Sequence, residues 1–438
     1  METGAIGLKM NKGQAIAGAV VILLTLIIGK TMLSSSMLFF RLLMGVGFGY
    51  ALTRAFVGFA GSVNRAYNTG STKLMRMLAY MFLVTSILSV AFLYNADAAS
   101  YDLWVNPINS GLIIGGIMFG FGMTFSVCCA SGVLTDVVTG FSRGLITLLF
   151  FGMGVFLGFP FQRSAEWVKD AGISSNWIKG TWFSTETFKS GVYLPDLFKW
   201  DGLNGYLGAV LLTGFFCGIV VYLSKKYEQN RKVEGSFTGV PSEIEQCRVA
   251  SDCDNGVREF SLFSEDTYVR LFVKPWTMGT GAAVIAVLFT LLMGVTKAGW
   301  GASTPYGWWF GRFLMIFGVS PESLASFTNF PIKFYTMPFF NHPINTQNIG
   351  IIIGTVICLL LAGTFQTTVK SEIKCSPKNA MLYAMGGLFM GFGTRLSNGC
   401  NVGALYTPIA NFSLSGWFFF VALVLGGIIG NKVANRKK

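Results

Sequence analysis

The sequence predicts an all-α polytopic membrane protein. About ten spanning helices fall into two inverted five-span repeats, with re-entrant loops meeting near the midplane. Three observations predict this. Of the 438 residues, 52% are hydrophobic and only 12% charged, half the charge of an ordinary soluble domain. Apolar runs long enough to cross a bilayer alternate with polar loops whose Lys and Arg content sets an orientation. Two stretches of the chain recur, in the same order, in its second half.

Ten segments are apolar and long enough to span, at 14–30, 35–53, 76–94, 110–127, 142–161, 202–223, 277–297, 347–366, 379–397 and 412–431. The first follows Lys9 and Lys12 as a signal peptide would, but shows no convincing small-residue cleavage site and is read as a retained span. The net charge of +13 does not point to nucleic acid, because the basic residues flank hydrophobic segments. An anionic substrate accounts for a few of the rest. Arg65, Lys73 and Arg76 mark one side, as do Lys225, Lys226, Arg231 and Lys232, then Lys370, Lys374 and Lys378, and Lys432, Arg436, Lys437 and Lys438. The 95–109 loop carries Asp97 and Asp102 and no Lys or Arg. Ten crossings then put both termini in the cytoplasm and 95–109 outside. The 162–201 stretch also falls outside, where Trp167, Trp177, Trp182 and Trp200 suit an interfacial belt or a small cap.

The expected division is 1–223, the first membrane repeat plus the first span of the second; 224–275, a cytoplasmic polar insertion; and 276–438, the remainder of the second repeat. The insertion is too short for a confident independent domain and reads as a docking loop or a partly ordered lid.

LLMGV occurs at Leu42–Val46 and again at Leu291–Val295. GGIMFGFGMTFSVCCASG (Gly115–Gly132) aligns without a gap on GGLFMGFGTRLSNGCNVG (Gly386–Gly403). Ser126 pairs with Ser397, Cys129 with Cys400, and Cys128 with Gly399. The first copy follows a span running inward and the second a span running outward, so the halves are inverted, a recurring plan of transporters with a midplane site. Each Cys segment is too short and too rich in Gly, Ser and Asn to cross alone. It reads as a re-entrant loop whose backbone is buried in protein or lines a path. LTRAFVGFAG and GWGASTPYGWW look like a second such pair.

Eight cysteines are present: Cys128, Cys129, Cys217, Cys247, Cys253, Cys358, Cys375 and Cys400. None has zinc-type spacing, and the single His342 is one ligand at most, so neither metal nor cofactor is expected. Cys217 and Cys358 read as small buried hydrophobes. Cys129 and Cys400 stand apart because they are equivalent and lie in helix breaks; Cys128 is a second contact or packing. Arg395 is a guanidinium at membrane depth, which faces a pathway or a partner. Ser126, Ser131 and Thr124 in one half, and Ser397, Asn398 and Asn401 in the other, supply hydrogen-bonding groups. Thiols, neutral donors and one cation suggest a small sulfur-bearing anion. Arg54 is a weaker candidate, Lys297 a snorkelling residue, and Asp136 a helix cap or a coupling group. There is no nucleotide-binding P-loop, so direct use of ATP is not expected.

These motifs resemble the YeeE/YedE family of bacterial membrane proteins over about 14–223 and 277–431. The resemblance implies an hourglass-like helical fold and a sulfur-transport function of the thiosulfate-importer kind, with Cys129 and Cys400 passing the anion inward through weak thiol hydrogen bonds. It also implies the cytoplasmic (inner) membrane and a small cytosolic sulfur-carrier protein as partner, for which the insertion with Cys247 and Cys253 is a candidate dock. Two features depart from the family. The importers place a further Cys in the first re-entrant stretch, where this chain has Phe56, Val57 and Gly58, and the Gly before the first motif's Cys is here Cys128. The reading is therefore a permease, not an enzyme, for thiosulfate or a related anion. A membrane thiol or persulfide redox relay and a transporter of a selenium compound remain the alternatives.

Overall fold

The computed structural model describes residues 10–56, 58, 61–169, 187–188, 191–251, 264–371 and 373–435. The long helices are α1 (Lys12–Met32), α2 (Ser36–Arg54), α4 (Lys73–Leu93), α5 (Ser110–Ser126), α7 (Phe141–Ser164), α8 (Tyr206–Val233), α10 (Met278–Thr296), α12 (Pro343–Leu361), α13 (Pro377–Leu396) and α14 (Ser415–Asn435). Between them lie the shorter α3 (Gly61–Thr69), α6 (Gly132–Thr139), α9 (Pro241–Ser251) and α11 (Thr304–Ile316). Among the described residues there is no strand, only two isolated bridges, Asp102 with Ala298 and Tyr193 with Ser413.

Each of the ten apolar segments falls on one long helix. Eight are long and apolar enough to span; the others are α5, of 17 residues, and α13, which carries Arg395 and two polar N-terminal residues, Lys378 and Asn379. The molecule is a multi-pass membrane protein. Helix starts follow capping chemistry. Ser35, Asn109, Thr277 and Ser376 each accept the backbone N–H three residues on, satisfying a donor the first turn leaves free. One boundary differs from the sequence reading. α8 does not stop at 223 but runs on to Val233, because Glu228 bridges Lys232 (2.8 Å) and Arg76 (2.8 Å) and keeps the polar turns helical.

α1 is apolar on every face and buries only Gly18 and Gly29, as a helix bathed in lipid would. α8 is similarly peripheral, lying along α4 as α1 lies along α12. The centre is built on α5 and α13. A methyl group on Gly115 would sit 2.6 Å from the Gly393 carbonyl oxygen, and one on its equivalent Gly386 would sit 2.7 Å from that of Gly122. The contacts are reciprocal, and they run in opposite directions along the two helices, so α5 and α13 cross antiparallel. α7 lies against α13, and α14 against α5, by the same kind of glycine contact. Bulk-free crossings let backbones meet where lipid offers no hydrophobic drive.

The insertion is anchored. Glu243 of α9 pairs with Arg65 (2.8 Å) and accepts from Ser71 (2.6 Å), while Gln246 donates to the Ala55 carbonyl at 3.1 Å. Trp177, Trp182 and Cys253 lie outside the described residues, as does the Cys247 side chain. Trp167 and Trp200 are exposed.

Candidate functional site

The two Cys segments adopt one geometry. α5 ends at Ser126 and Val127 turns the chain with a left-handed φ of 59°; α13 ends at Leu396 and Asn398 turns it with φ 55°. The Ser126 hydroxyl donates to the carbonyls of Gly122 (3.2 Å) and Cys128 (3.3 Å). The Ser397 hydroxyl donates to those of Gly393 (2.8 Å) and Gly399 (3.0 Å). The Val133 N–H donates to Cys129 O at 2.7 Å, and the Ala404 N–H to Cys400 O at 2.6 Å. Each loop then re-enters a short helix, α6 in one case and the π-helical Asn401–Tyr406 in the other. The serine hydroxyls thus hold the loop shape, and both serines are fully buried.

Cys128, Cys129 and Cys400 are free and buried. The Cys129 sulfur accepts the Gly132 N–H at 3.4 Å and lies 3.5 Å from the Ser131 hydroxyl. Cys129 and Cys400 are within electrostatic range of each other, and Cys400 is also within range of Arg395. Tyr306 is within electrostatic range of all three thiols, and its hydroxyl donates to the Ala130 carbonyl at 2.6 Å. An aromatic cluster packs on the second loop. Trp300 stacks on Phe48 (3.9 Å between ring centres) and meets Tyr406 edge-on, and Trp104 packs on Gly301 and Gly403. Asn401 donates only to the Met123 sulfur, at 3.4 Å, and its buried Oδ1 has no partner.

Two cavities flank this cluster. The larger, about 680 Å³, is lined by Cys128, Cys129, Arg54, Cys358, Asp136 and Arg143, among others. The smaller, about 550 Å³, is lined by Arg395, Asn398, Gln162, Thr304, Arg163 and Lys169, with Asn329 and Phe330. α7 reaches from one to the other, from Arg143 to Gln162, about 28 Å at 1.5 Å per residue. Among the described residues the smaller cavity has three cations and no carboxylate on its wall.

Arg395 is 2% exposed. Its guanidinium donates to Ser303 (2.8 Å), Thr304 (2.9 Å), Thr394 (3.1 Å) and Gln162 (3.5 Å), and it faces the Phe159 ring at 5.7 Å. All four partners are neutral. A buried charge that is hydrogen-bonded but not neutralised keeps its field for an anion. Asn398 accepts from Gln162 at 2.8 Å on the same wall.

Other sequence candidates separate from the cluster. Thr124 donates towards Gly120 and Gly427 and faces α14. Asp136 pairs with Arg143 at 3.1 Å. Lys297 is a left-handed helix end over the Tyr101 ring. His342 is a structural residue, edge-on to Trp308 at 4.8 Å. Cys217 is buried packing, but Cys358 lines the larger cavity.

A family model described as sulphur transport matches residues 54–429. The chain belongs to the sulphur-transport family. Membership agrees with the YeeE/YedE resemblance carried by the two Cys motifs. Among relatives of this family, the chain is 22% identical to the thiosulfate transporter TsuA of Spirochaeta thermophila over 404 residues, 89% of this chain and 97% of that one. It is 28% identical to the probable transporter YedE of Escherichia coli (strain K12) over 158 residues, 36% of this chain. The match to the YedE proteins spans only 38% of their length.

The residues missed by sequence reasoning are those that hold Arg395 or close the cluster: Gln162, Ser303, Thr304, Tyr306 and Trp104. Ser303, Thr304 and Tyr306 lie inside GWGASTPYGWW, already singled out as a break. The signal was there for the segment but not for its side chains.

Proposed function

We propose that this protein is an inner-membrane permease, not an enzyme, that imports thiosulfate or a closely related small sulfur-containing anion. The anion enters the smaller cavity, drawn by Arg163, Lys169 and Arg395. It passes Cys400 and Cys129 and leaves through the larger cavity. The reading rests on one observation above all: two equivalent, free thiols lie within electrostatic range of each other beside two cavities, one of which carries three cations and no carboxylate among the described residues. A thiol is a weak donor. Such contacts replace water around the ion without trapping it, and conduction needs release as much as binding. Asn398 and Asn401 add neutral donors, Cys128 widens the thiol surface towards the exit, and Ser126 and Ser397 set the loops.

The reciprocal glycine contacts of α5 and α13, and the matched turns at Val127 and Asn398, support two inverted five-span halves. On that plan both termini are cytoplasmic and 224–275 is a cytoplasmic insertion between spans of the second half. A small sulfur-carrier protein meeting that face is part of the proposal.

Uptake of radiolabelled thiosulfate in cells that cannot otherwise import it tests the reading. The parent should import it, and Cys129→Ala and Cys400→Ala should each abolish most uptake at equal membrane abundance. No import by an abundant parent would rule out thiosulfate as cargo. A Cys129–Cys400 disulfide accumulating during turnover would favour a redox relay instead.

A further inference from the structure

The larger cavity holds a guanidinium and a thiol that the path described above does not use. Arg54 ends α2 and is 5% exposed. One of its terminal nitrogens donates to the Lys274 carbonyl, but its Nε is buried without a hydrogen-bond partner among the described residues. Unpartnered buried donors are rare, and one on a charged group is costly. Cys358 lies on α12, within electrostatic range of Arg54, and both line the cavity. The other arginines on that wall are committed: Arg65 to Glu243 and Arg143 to Asp136. Among the described residues no carboxylate pairs with Arg54. A guanidinium and a thiol are also near each other at the smaller cavity, where the wall residue Arg395 is within electrostatic range of Cys400, which does not itself line that cavity.

We infer that Arg54 and Cys358 form a second anion station, in the larger cavity. It takes a small sulfur oxyanion after Cys129. The Arg54 Nε–H donates to an oxyanion oxygen, and the Cys358 thiol meets the terminal sulfur. This inference rests on the proposed import of such anions. It assigns to α12 a thiol contact close to the re-entrant stretch 52–61, which itself has none.

The test combines uptake with equilibrium dialysis of the purified full chain against radiolabelled thiosulfate. Arg54→Gln and Cys358→Ala should each lower initial uptake about tenfold, the loss expected for one hydrogen bond to a charged group. In a Cys129→Ala background both should weaken dialysis binding by a similar factor. Arg54→Lys should recover part of the uptake, because the charge returns without the planar fork. The double variant should be little worse than either single one, since the two groups act on one ion. If Cys129→Ala abolishes uptake while Arg54→Gln and Cys358→Ala stay within about twofold of the parent, a range below one such hydrogen bond, the station is overturned and the import reading stands. If the parent imports nothing, the import reading fails and dialysis alone decides. Binding that either substitution weakens tenfold upholds the station; binding that neither changes, or no binding, overturns it. Should Arg54→Gln fail to reach the membrane, Cys358→Ala carries the comparison, because it removes one sulfur from an otherwise unaltered helix.

Discussion

Arg395 is a buried guanidinium whose hydrogen-bond partners among the described residues are all neutral. Four neutral groups hold its guanidinium, and a neutral partner fixes geometry while leaving the charge uncancelled. Arg395→Gln is expected to reduce thiosulfate uptake about ten- to hundredfold, the range for losing hydrogen bonds to a charged group. Arg395→Lys is expected to fall between, keeping the charge and losing the fork that reaches Ser303 and Thr304 together. Uptake at matched abundance, with a melting curve for each variant, separates lost function from lost fold. At this scale the sequence was legible where a residue had a twin. Cys129 announced itself through Cys400, and Arg395 through its depth in an apolar span. Tyr306 did not, because a tyrosine in an aromatic-rich stretch is ordinary until the fold brings it near the thiols. Cys358 was read as packing because, in sequence, nothing tells a thiol on a cavity wall from one in a core.

Among the elements, the α5–α13 crossing makes a sharp comparison. Gly122→Ala would place a methyl 2.6 Å from the Gly386 carbonyl oxygen, whereas Gly218→Ala on α8 meets nothing within 4 Å. The first should cost about 1–3 kcal/mol by overpacking. The second should be neutral or gain about 0.5–1 kcal/mol, because alanine loses less backbone freedom in a helix. Melting temperatures in detergent check both, and equal shifts would refute the close crossing. The start of α8 offers a pH prediction. Burial alone would raise the Asp201 carboxyl, but N–H groups of Gly208, Gly205, Leu203 and Leu207 hold it below its usual value. A depressed carboxylate stabilises the fold above its unfolded pKa, and this is lost as the pH falls through the folded one. Asp201→Ala should therefore melt earlier than the parent near neutrality, and the gap should close below about pH 4. A gap that persists unchanged at low pH would show that the cap does not act through charge. The elements themselves were largely readable, since hydropathy placed all ten long helices. Their ends were not, because the turns of α8 beyond 223 are tied to α4 by the Glu228–Arg76 ion pair, which no local pattern encodes.

For the whole molecule, orientation is the open quantity that loop charge addresses. Cys375 lies partly exposed between Lys374 and Lys378, on the side assigned to the cytoplasm. In a variant with Cys247→Ser and Cys253→Ser, a membrane-impermeant maleimide should label Cys375 in inverted vesicles and leave it unmodified in intact cells. Labelling from the outside would reverse the assignment, and with it the direction in which the two cavities are used. The duplicated motif pointed to the two matched loop turns at the ends of α5 and α13, since a repeat constrains a fold more than any propensity does. What it could not convey is that the cavities differ: among the described residues one carries three cations and no carboxylate, while the other mixes thiols with arginines, two of them ion-paired. That asymmetry arises from side chains outside the matched motifs.

The reciprocal crossing at the centre has a mechanical corollary. A joint in which carbonyls rest against bare Cα atoms has no side-chain cushion, and neither helix can slide or tilt without every contact parting at once. A hub so stiff is a poor hinge. On the import reading proposed above, the crossing is a fixed post, and any yielding falls to the side chains around it, as in a turnstile rather than a pair of rocking halves.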